Sequence, residues 1–161
     1  MNLTQERLKE VLHYDPDTGV FTWKVSLNSR IPIGAVAGCI VQHYRAIGID
    51  GEKYRAHRLA FLYMTGRFPK DEVDHIFHDK DNNRWRFITE ATRKKNAKNL
   101  SLSKANKTGY CGIYVDKGRF RAMIQHEYKK ICCGRYDTIE DAVAAAQKKY
   151  TELGFHPNHG K

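Results

Sequence analysis

The stretch from Val73 to Asn99 constrains the fold of this chain more than any other. It opens with an apolar residue before an Asp-His pair and continues through a polar, Asn-rich turn. It then passes through the aromatic run Trp85–Ile88 into a basic segment. This order of apolar, turn-forming and basic residues predicts a strand, a loop, a second strand and a helix. We therefore expect Asp74 and His75 at the end of the first strand and Asn96 on the helix.

The residue types in this stretch suit the hydrolysis of a phosphodiester. Asp74 supplies a hard oxygen donor of the kind that Mg²⁺ or Mn²⁺ prefers. A neutral histidine such as His75 can deprotonate a water molecule near pH 7. The side-chain carbonyl of Asn96 can complete the protein ligands and leave positions open for water and phosphate. One ion held in this way stabilises a leaving 3′ oxygen.

Three short motifs here follow the order found in the ββα-metal site of HNH nucleases, and the chain most closely resembles the phage-type HNH homing endonucleases. The motifs are V-D-H-I at Val73–Ile76, N-R-W at Asn83–Trp85 and E-A-T-R-K-K-N at Glu90–Asn96. The resemblance implies that Asp74 and Asn96 hold one Mg²⁺ or Mn²⁺ ion and that His75 acts as the general base.

The chain departs from the pattern of this family at three places. The family's middle Asn falls on Phe87, the Asp before N-R-W falls on Asn82, and N-G after D-H-I is replaced by Phe77-His78. The middle Asn usually braces the loop that presents the histidine, so we assign part of this bracing role to Asn83. The departures keep a second class of function open, a sequence-specific DNA-binding or regulatory protein with a decayed nuclease site. A third interpretation is an RNA-binding protein that uses the same basic helix.

The charge of the chain points to a polyanionic partner. The net charge is +10 over 161 residues, and nucleic acid is the usual partner of so basic a protein. Between Arg84 and Lys107 lie eight Lys or Arg residues and one acid, which we call the basic block. The alternative is a solvated helix face, but a block of one sign repels itself unless an anion covers it. The predicted contacts to duplex DNA in the block are Arg84, Arg93, Lys94, Lys98, Lys104 and Lys107.

From Thr108 onward the pattern predicts a compact unit of three strands followed by a helix. The second strand alternates cleanly from Arg119 to Gln125, and the helix begins after Thr138, its expected N-cap. With N-K-T-G-Y at its start and G-R-Y-D-T before the helix, this unit resembles the AP2 DNA-binding domain.

In the AP2 family the outward face of the sheet lies in the major groove. By position that face consists here of Tyr114, Lys117, Arg119, Arg121, Met123 and Gln125. Arg and Gln are residue types that read base edges, which favours contact with DNA. The alternative is a small α+β unit whose outer strand residues are merely solvated.

The sequence also predicts elements before the central stretch. A helix is expected over Leu3–His13 and a strand over Val20–Val25. The Asp50-Gly51 pair predicts a hairpin between Tyr44–Ile49 and Lys53–Ala56. A loop is expected over Asn28–Gly38 and a buried helix over His57–Thr65, where His57 is interpreted as a packing residue.

Together these patterns predict an α+β protein in two parts. Residues 1–99 form the HNH nuclease region, with the ββα-metal motif at about 71–99, and residues 100–107 form a basic linker. Residues 108–154 form the AP2-like DNA-binding domain, and residues 155–161 form a frayed tail. The predicted function is a monomeric, Mg²⁺- or Mn²⁺-dependent endonuclease that nicks one strand of double-stranded DNA at a site chosen by its DNA-binding domain.

The sequence also gives expectations about membranes, cellular compartment, zinc and disulfides. No segment has the length of a membrane span or a signal peptide, so we expect no membrane partner and a cytoplasmic protein, in the host cell if it is phage-encoded. The four cysteines have no C-x-x-C spacing, so we expect neither a structural zinc nor a disulfide framework.

Overall fold

The computed structural model describes residues 3–26 and 31–161. Within these residues the fold is mixed α/β, with four α-helices and several small antiparallel sheets of two or three strands. The chain divides between Arg93 and Lys94 into two compact units. The first residues of the loop predicted over Asn28–Gly38 lie outside the described residues, and the part from Ile31 onward is largely irregular.

The first unit begins with helix α1 (Gln5–Val11), which Thr4 caps by accepting a hydrogen bond from the Arg7 backbone N–H. The helix predicted over Leu3–His13 is too long, because Leu12 already starts strand β1 (Leu12–Asp15). β1 pairs antiparallel with β2 (Val20–Trp23), two residues shorter than its predicted span. The pairing exposes His13 and buries its neighbours, so strand alternation replaces the helical period there.

A three-stranded sheet follows, in the order β3-β4-β5. Its strands are β3 (Cys39–Val41), which the sequence did not predict, β4 (Tyr44–Ile49) and β5 (Glu52–Arg55). The hairpin predicted around Asp50-Gly51 is confirmed by the β4–β5 pairing. Helix α2 (Ala56–Thr65) ends as predicted at Gly66, whose φ of 76° is the left-handed conformation that glycine adopts without strain.

The central stretch contains β6 (Glu72–His75) and β7 (Ile88–Ala91), which pair antiparallel, and the short helix α3 (Arg93–Asn96). The second strand was predicted on the aromatic run Trp85–Ile88, and this placement is wrong. Residues Trp85–Phe87 form a 3₁₀ turn instead, and the strand starts where that turn ends. The helix is a single turn, with Asn96 as its last residue.

One apolar core holds the first unit together. It lies among α1, α2, β1, β2 and the three-stranded sheet, and its largest fully buried apolar side chains are Tyr14, Phe21, Leu8, Leu12, Ile47 and Leu59. Burial of each aliphatic or aromatic side chain of this kind contributes roughly 1.5–3 kcal/mol. Val73 on β6 and Ile88 on β7 pack on this core, which therefore supports the strand pair that carries Asp74 and His75.

The second unit is a three-stranded antiparallel sheet with one helix, as the sequence predicted. The strands are β8 (Ile113–Asp116), β9 (Arg119–His126) and β10 (Lys129–Tyr136) in the order β10-β9-β8, and the helix is α4 (Ile139–Glu152). Thr138 caps α4 by accepting a hydrogen bond from the Asp141 backbone N–H, as expected. The core combines Ile113 and Ile124 with the small residues Ala122, Ala142 and Ala146, which let the helix approach the sheet closely.

The tail at residues 155–161 is not frayed as we expected. It runs beside the segment at 98–102, where the Lys98 carbonyl accepts from the His156 N–H (3.1 Å) and the Leu100 carbonyl accepts from the Gly160 N–H (2.8 Å). The ring of Phe155 packs on Tyr150 with the centroids 4.8 Å apart. The first three residues of the predicted linker, 100–102, therefore run beside the tail within the second unit.

Candidate active site

Asp74 and His75 end strand β6, as the sequence predicted. Their partners on β7 are Thr89 and Ile88. Only 8% of Asp74 and 7% of His75 is exposed, so both ionisable side chains are nearly removed from bulk water. A buried carboxylate next to a buried imidazole is costly unless other groups compensate it, which is typical of a functional site.

The imidazole of His75 lies within a cluster of rings. The His57 ring, on the first turn of α2, meets it edge to face with the centroids 5.0 Å apart, and the Tyr44 ring lies 5.9 Å away. Burial lowers the pKa of His75 below its ordinary value, and the Asn83 side chain and the Asp74 carboxylate oppose this shift. The neutral imidazole is therefore favoured, which is the form that accepts a proton.

The Nε2 atom of His75 has no hydrogen-bond partner among the described residues, although it is buried. A buried imidazole nitrogen without a partner is costly unless a ligand or water occupies that position. This nitrogen therefore points to an occupant from outside the chain. A water molecule that hydrogen-bonds there would be placed for deprotonation.

Asn83, the residue to which we assigned loop bracing, is 1% exposed and lies near the His75 ring. Its amide nitrogen donates to the Asp81 carbonyl at 2.8 Å, and its own backbone carbonyl accepts from the Tyr14 hydroxyl at 2.6 Å. Its side chain acts on the His75 pKa as an acceptor does, yet Asn83 Oδ1 forms no aligned hydrogen bond within the described residues. We therefore describe the two groups as neighbours rather than as a bonded pair.

The backbone at Asn83 is also fixed by a close approach of Gly19. A Cβ atom built on Gly19 would lie 2.4 Å from the Arg84 backbone nitrogen and 2.5 Å from the Asn83 carbonyl carbon. The φ of Gly19 is 75°, which also favours glycine. The turn between β1 and β2 therefore supports Asn83 on the loop that follows β6.

The predicted metal ligands divide between the two units. Asp74 lies in the first unit, and Asn96 lies three residues beyond the first residue of α3, in the second. No group of three His, Cys, Asp or Glu side chains in the described part of the chain is arranged to hold a metal. The buried Asp74 carboxylate nevertheless fits a hard divalent ion, because it is the kind of oxygen donor that such ions prefer.

Several residues of the basic block already have partners inside their own unit. The Arg84 guanidinium donates to the Asp17 carbonyl at 2.9 Å, and Lys94 forms an ion pair with Glu127. The Lys98 ammonium donates to the Leu153 carbonyl at 2.6 Å, which gives this lysine a structural contact. The other three predicted phosphate contacts are exposed: Arg93, Lys104 and Lys107.

The predicted sheet face of the second unit alternates as expected. Ala122 and Ile124 are buried, so Arg121, Met123 and Gln125 point to the other side of β9. Tyr114 lies across from Arg121 on β8 and is 52% exposed. Lys117 occupies the turn before β9, and Arg119 forms an ion pair with Asp137 at 2.7 Å. Arg121 and Gln125 are therefore the better placed of the predicted base-reading residues.

Sequence reasoning missed two residues that contact His75. Tyr44 gave no signal, because it was assigned only to a hairpin strand. His57 was correctly expected to be buried, but it was interpreted as ordinary packing, whereas its ring touches the predicted general base. The available signal was its place in the run A-H-R-L-A-F at residues 56–61, which resembles the segment just upstream of D-H-I in the phage-type nucleases.

The burial of His57 predicts a specific loss of stability in acid. Burial first, and then the nearby His75, lowers the His57 pKa from 6.5 to about 3. Below pH 6.5 the unfolded chain binds a proton at His57, whereas the folded chain does not. The free energy of unfolding therefore falls by up to about 1.4 kcal/mol per pH unit as the pH drops to roughly 3. Denaturant unfolding of wild type and His57→Phe in metal-free buffer between pH 7.5 and 4.5 measures this, and the variant should show the flatter curve. Parallel curves would show that His57 already titrates normally in the folded protein.

None of the helices in residues 3–26 and 31–161 has the length and apolar character needed to cross a membrane.

Comparison with known proteins gives one match, in the segment that contains the site. No curated protein and no solved structure matches the chain significantly. Residues 54–98 match a family model described as HNH endonuclease, so the part of the chain that carries Asp74, His75, Asn83 and Asn96 is similar to nucleases that act on DNA.

Proposed function

We propose that this protein is a metal-dependent DNA endonuclease that nicks one strand of duplex DNA. The observation that carries the proposal is the buried His75 imidazole, with its Nε2 atom unpartnered, beside the buried Asp74 carboxylate in the HNH-matching segment. A histidine held neutral and open at one nitrogen is suited to take a proton from water. A protein that only bound DNA would gain nothing from keeping this costly pair buried.

The chain's own residues supply three parts of the reaction. Asp74 and Asn96 would hold one Mg²⁺ or Mn²⁺ ion, which when bound would neutralise charge on the phosphate and on the leaving 3′ oxygen. His75 Nε2 takes a proton from a water molecule, whose oxygen forms a bond to phosphorus while the bond from phosphorus to the 3′ oxygen breaks. The products are a 3′ hydroxyl, protonated from solvent, and a 5′ phosphate. Asn83 keeps the imidazole oriented for the proton transfer.

A single site of this kind cuts one phosphodiester at a time. We infer that a monomer leaves a nick and that a break of both strands requires two copies or two binding events. The second unit supplies the affinity for a chosen site, with an AP2-like sheet face that lies in the major groove. Homing behaviour of the phage type is part of the same proposal and is supported by the three motifs shared with that group.

The basic block and the outward sheet face of the second unit are expected to bind DNA in different ways. Exposed lysines such as Lys104 and Lys107 neutralise phosphates and give affinity that does not depend on sequence. Arg121 and Gln125 project from the strand at regular spacing, with donors that can reach base edges. Arg121 also lies beside Cys132, whose pKa is lowered by the Gly134 N–H and by the Arg121 guanidinium.

This division gives a prediction about binding. Lys104→Ala with Lys107→Ala should weaken binding to every duplex alike and reduce the salt dependence by roughly one unit of slope for each lost phosphate contact. Arg121→Ala should cost about 1–3 kcal/mol on a preferred site and much less on scrambled DNA. The measurement is a salt titration of binding to a selected site and to its scrambled version. Lys148→Ala, an exposed lysine on the helix that covers the opposite face of the sheet, is the matched control and should change neither quantity.

The binding prediction has a clear contrary result. If Arg121→Ala lowers the affinity for selected and scrambled DNA equally, the sheet of the second unit is only a backbone clamp. Sequence preference would then have to come from the first unit.

The direct test of the proposed function uses supercoiled plasmid DNA. Wild-type protein should convert the plasmid to open circles in Mg²⁺ or Mn²⁺, and excess EDTA should stop the conversion. A plasmid that stays supercoiled at all metal concentrations, while the protein still binds a selected duplex, would favour a DNA-binding protein with an inactive site instead. Conversion that persists in EDTA would exclude the metal-dependent scheme.

A further inference from the structure

The loop between β6 and the 3₁₀ turn is tied to the three-stranded sheet by one ion pair. Arg45 on β4 donates two hydrogen bonds to Asp81, from Nε to Oδ1 at 3.0 Å and from Nη2 to Oδ2 at 2.9 Å. Two parallel bonds of this kind fix the relative orientation of both side chains, which a single contact does not. The loop residue Lys80 also lies over the ring of Tyr44, the neighbour of Arg45, at 5.1 Å from its centroid.

Asp81 in turn contacts Asn83, the residue that lies beside the imidazole of His75. Its backbone carbonyl accepts from the Asn83 amide nitrogen at 2.8 Å, and Asn83 is almost fully buried next to His75. A continuous set of contacts therefore leads from Arg45 through Asp81 and Asn83 to the His75 imidazole.

The opposite end of the loop is held in another way. The Ile76 N–H donates to the Phe87 carbonyl at 3.0 Å, and the rings of Phe77 and Phe87 meet edge to face at 5.1 Å. These contacts fix the residues that directly follow His75, but neither of them involves Asn83. The orientation of Asn83 therefore depends on the Arg45 side of the loop and on its buried backbone contacts.

We propose that Arg45 is a positioning residue for the nuclease reaction, which acts through Asp81 and Asn83 to hold the imidazole of His75 in its productive orientation. The inference rests on the proposed function. It concerns placement of the general base, since Arg45 itself touches neither Asp74 nor His75 in any contact described above. Small displacements of a catalytic group are enough to slow a reaction by about 10²-fold, so a brace of this kind affects the rate much more than the stability.

The chain provides a matched control for this proposal in the same unit. Arg7 binds Asp50 through two hydrogen bonds of the same geometry, at 3.0 Å and 2.9 Å. Arg7 lies on α1 and Asp50 lies in the β4–β5 turn, so neither residue belongs to the loop after β6. Loss of either exposed pair is expected to change the melting temperature only slightly. Only loss of the Arg45–Asp81 pair is expected to change catalysis.

The experiment compares single-turnover nicking by full-length variants, with the protein in saturating excess over the plasmid substrate. Arg45→Ala and Asp81→Asn should each lower the rate constant by about 10–100-fold while the DNA dissociation constant stays within about twofold. Arg7→Ala should leave both unchanged. The charge-swapped double variant Arg45→Asp with Asp81→Arg should recover part of the lost rate, which would show that the two side chains act as a pair.

Two results would overturn the proposal. One is an Arg45→Ala rate equal to that of Arg7→Ala, and the other is a change confined to the DNA dissociation constant. A second readout separates this proposal from the proposed function, namely hydrogen exchange of the loop amides of His78 and Asn82, whose backbone N–H groups donate within the loop. If wild type does not nick DNA but Arg45→Ala still speeds this exchange, the nuclease proposal fails and the brace stands as a structural feature alone. If exchange is also unchanged, the brace itself is refuted.

Discussion

Replacement of His75 by alanine is expected to lower the nicking rate by about 10²–10⁴-fold, which is the usual contribution of general-base assistance. The physical reason is that burial lowers the pKa of His57, the other imidazole of the ring cluster, to about 3, so it accepts a proton too weakly to replace His75. The measurement is a single-turnover rate on plasmid at saturating metal and protein. The affinity for DNA should stay close to the wild-type value, since the substitution changes neither the basic block nor the outward sheet face of the second unit.

The control for this variant is His13→Ala, which removes an exposed histidine from β1 in the same unit. It should nick at the wild-type rate. If His75→Ala nicks plasmid at the same rate as the control, His75 is not the general base. That role would then have to be assigned to another residue.

Replacement of Asp74 is expected to have the second large effect, on the metal requirement. Partners that only support a metal ligand are worth about 10–100-fold in metal affinity, so loss of a direct carboxylate ligand should raise the half-saturating Mn²⁺ concentration by about 10²-fold or more. Asp74→Asn keeps the shape of the buried side chain and is the better variant, because Asp74→Ala also leaves a cavity. Asn96→Ala should act in the same direction with a smaller effect, since a neutral amide oxygen binds the ion less strongly than a carboxylate.

The measurement is the plasmid nicking rate across a Mn²⁺ titration, with Asp71→Ala as the control. Asp71 is an exposed carboxylate three residues before Asp74, and its loss should leave the titration curve in place. A maximal rate that falls at Asp74→Asn with no shift of the metal midpoint would show that the carboxylate orients His75 and does not bind the ion.

Much of the architecture could be predicted from the sequence because local chemistry determines it. Gly66 ends α2 and Thr138 begins α4 where the sequence placed those boundaries, since a left-handed glycine and a capping hydroxyl act through their own backbone neighbourhood. The β4–β5 hairpin follows from Asp50-Gly51 for the same reason.

Features that depend on distant contacts were not predictable. Aromatic residues favour strands, but Trp85 is held in a 3₁₀ turn by its backbone bond to the Pro16 carbonyl and by packing on Phe61 at 4.9 Å. The tail looked too polar to be ordered, yet its backbone pairs with the segment at 98–102, which no pattern in either segment predicts.

The candidate site shows the same division. The motifs placed Asp74 and His75 at the end of a strand, and the structure places them there. The Tyr44 and His57 rings around the imidazole, and the Arg45–Asp81 brace, come from residues far away in sequence. Their roles follow only from the packing of β4, α2 and the loop in three dimensions.

The central claim is that the Asp74–His75 site hydrolyses the bond between phosphorus and the 3′ oxygen of a single strand. The most direct measurement is treatment of the nicked plasmid with DNA ligase, after cleavage in Mn²⁺ and removal of the protein. Water attack at phosphorus with departure of the 3′ oxygen predicts nicks that bear a 3′ hydroxyl and a 5′ phosphate, so ligase alone should reseal the open circles into closed ones. Nicks that ligase cannot seal without prior treatment of their ends, or a plasmid that the protein never nicks, would contradict this mechanism.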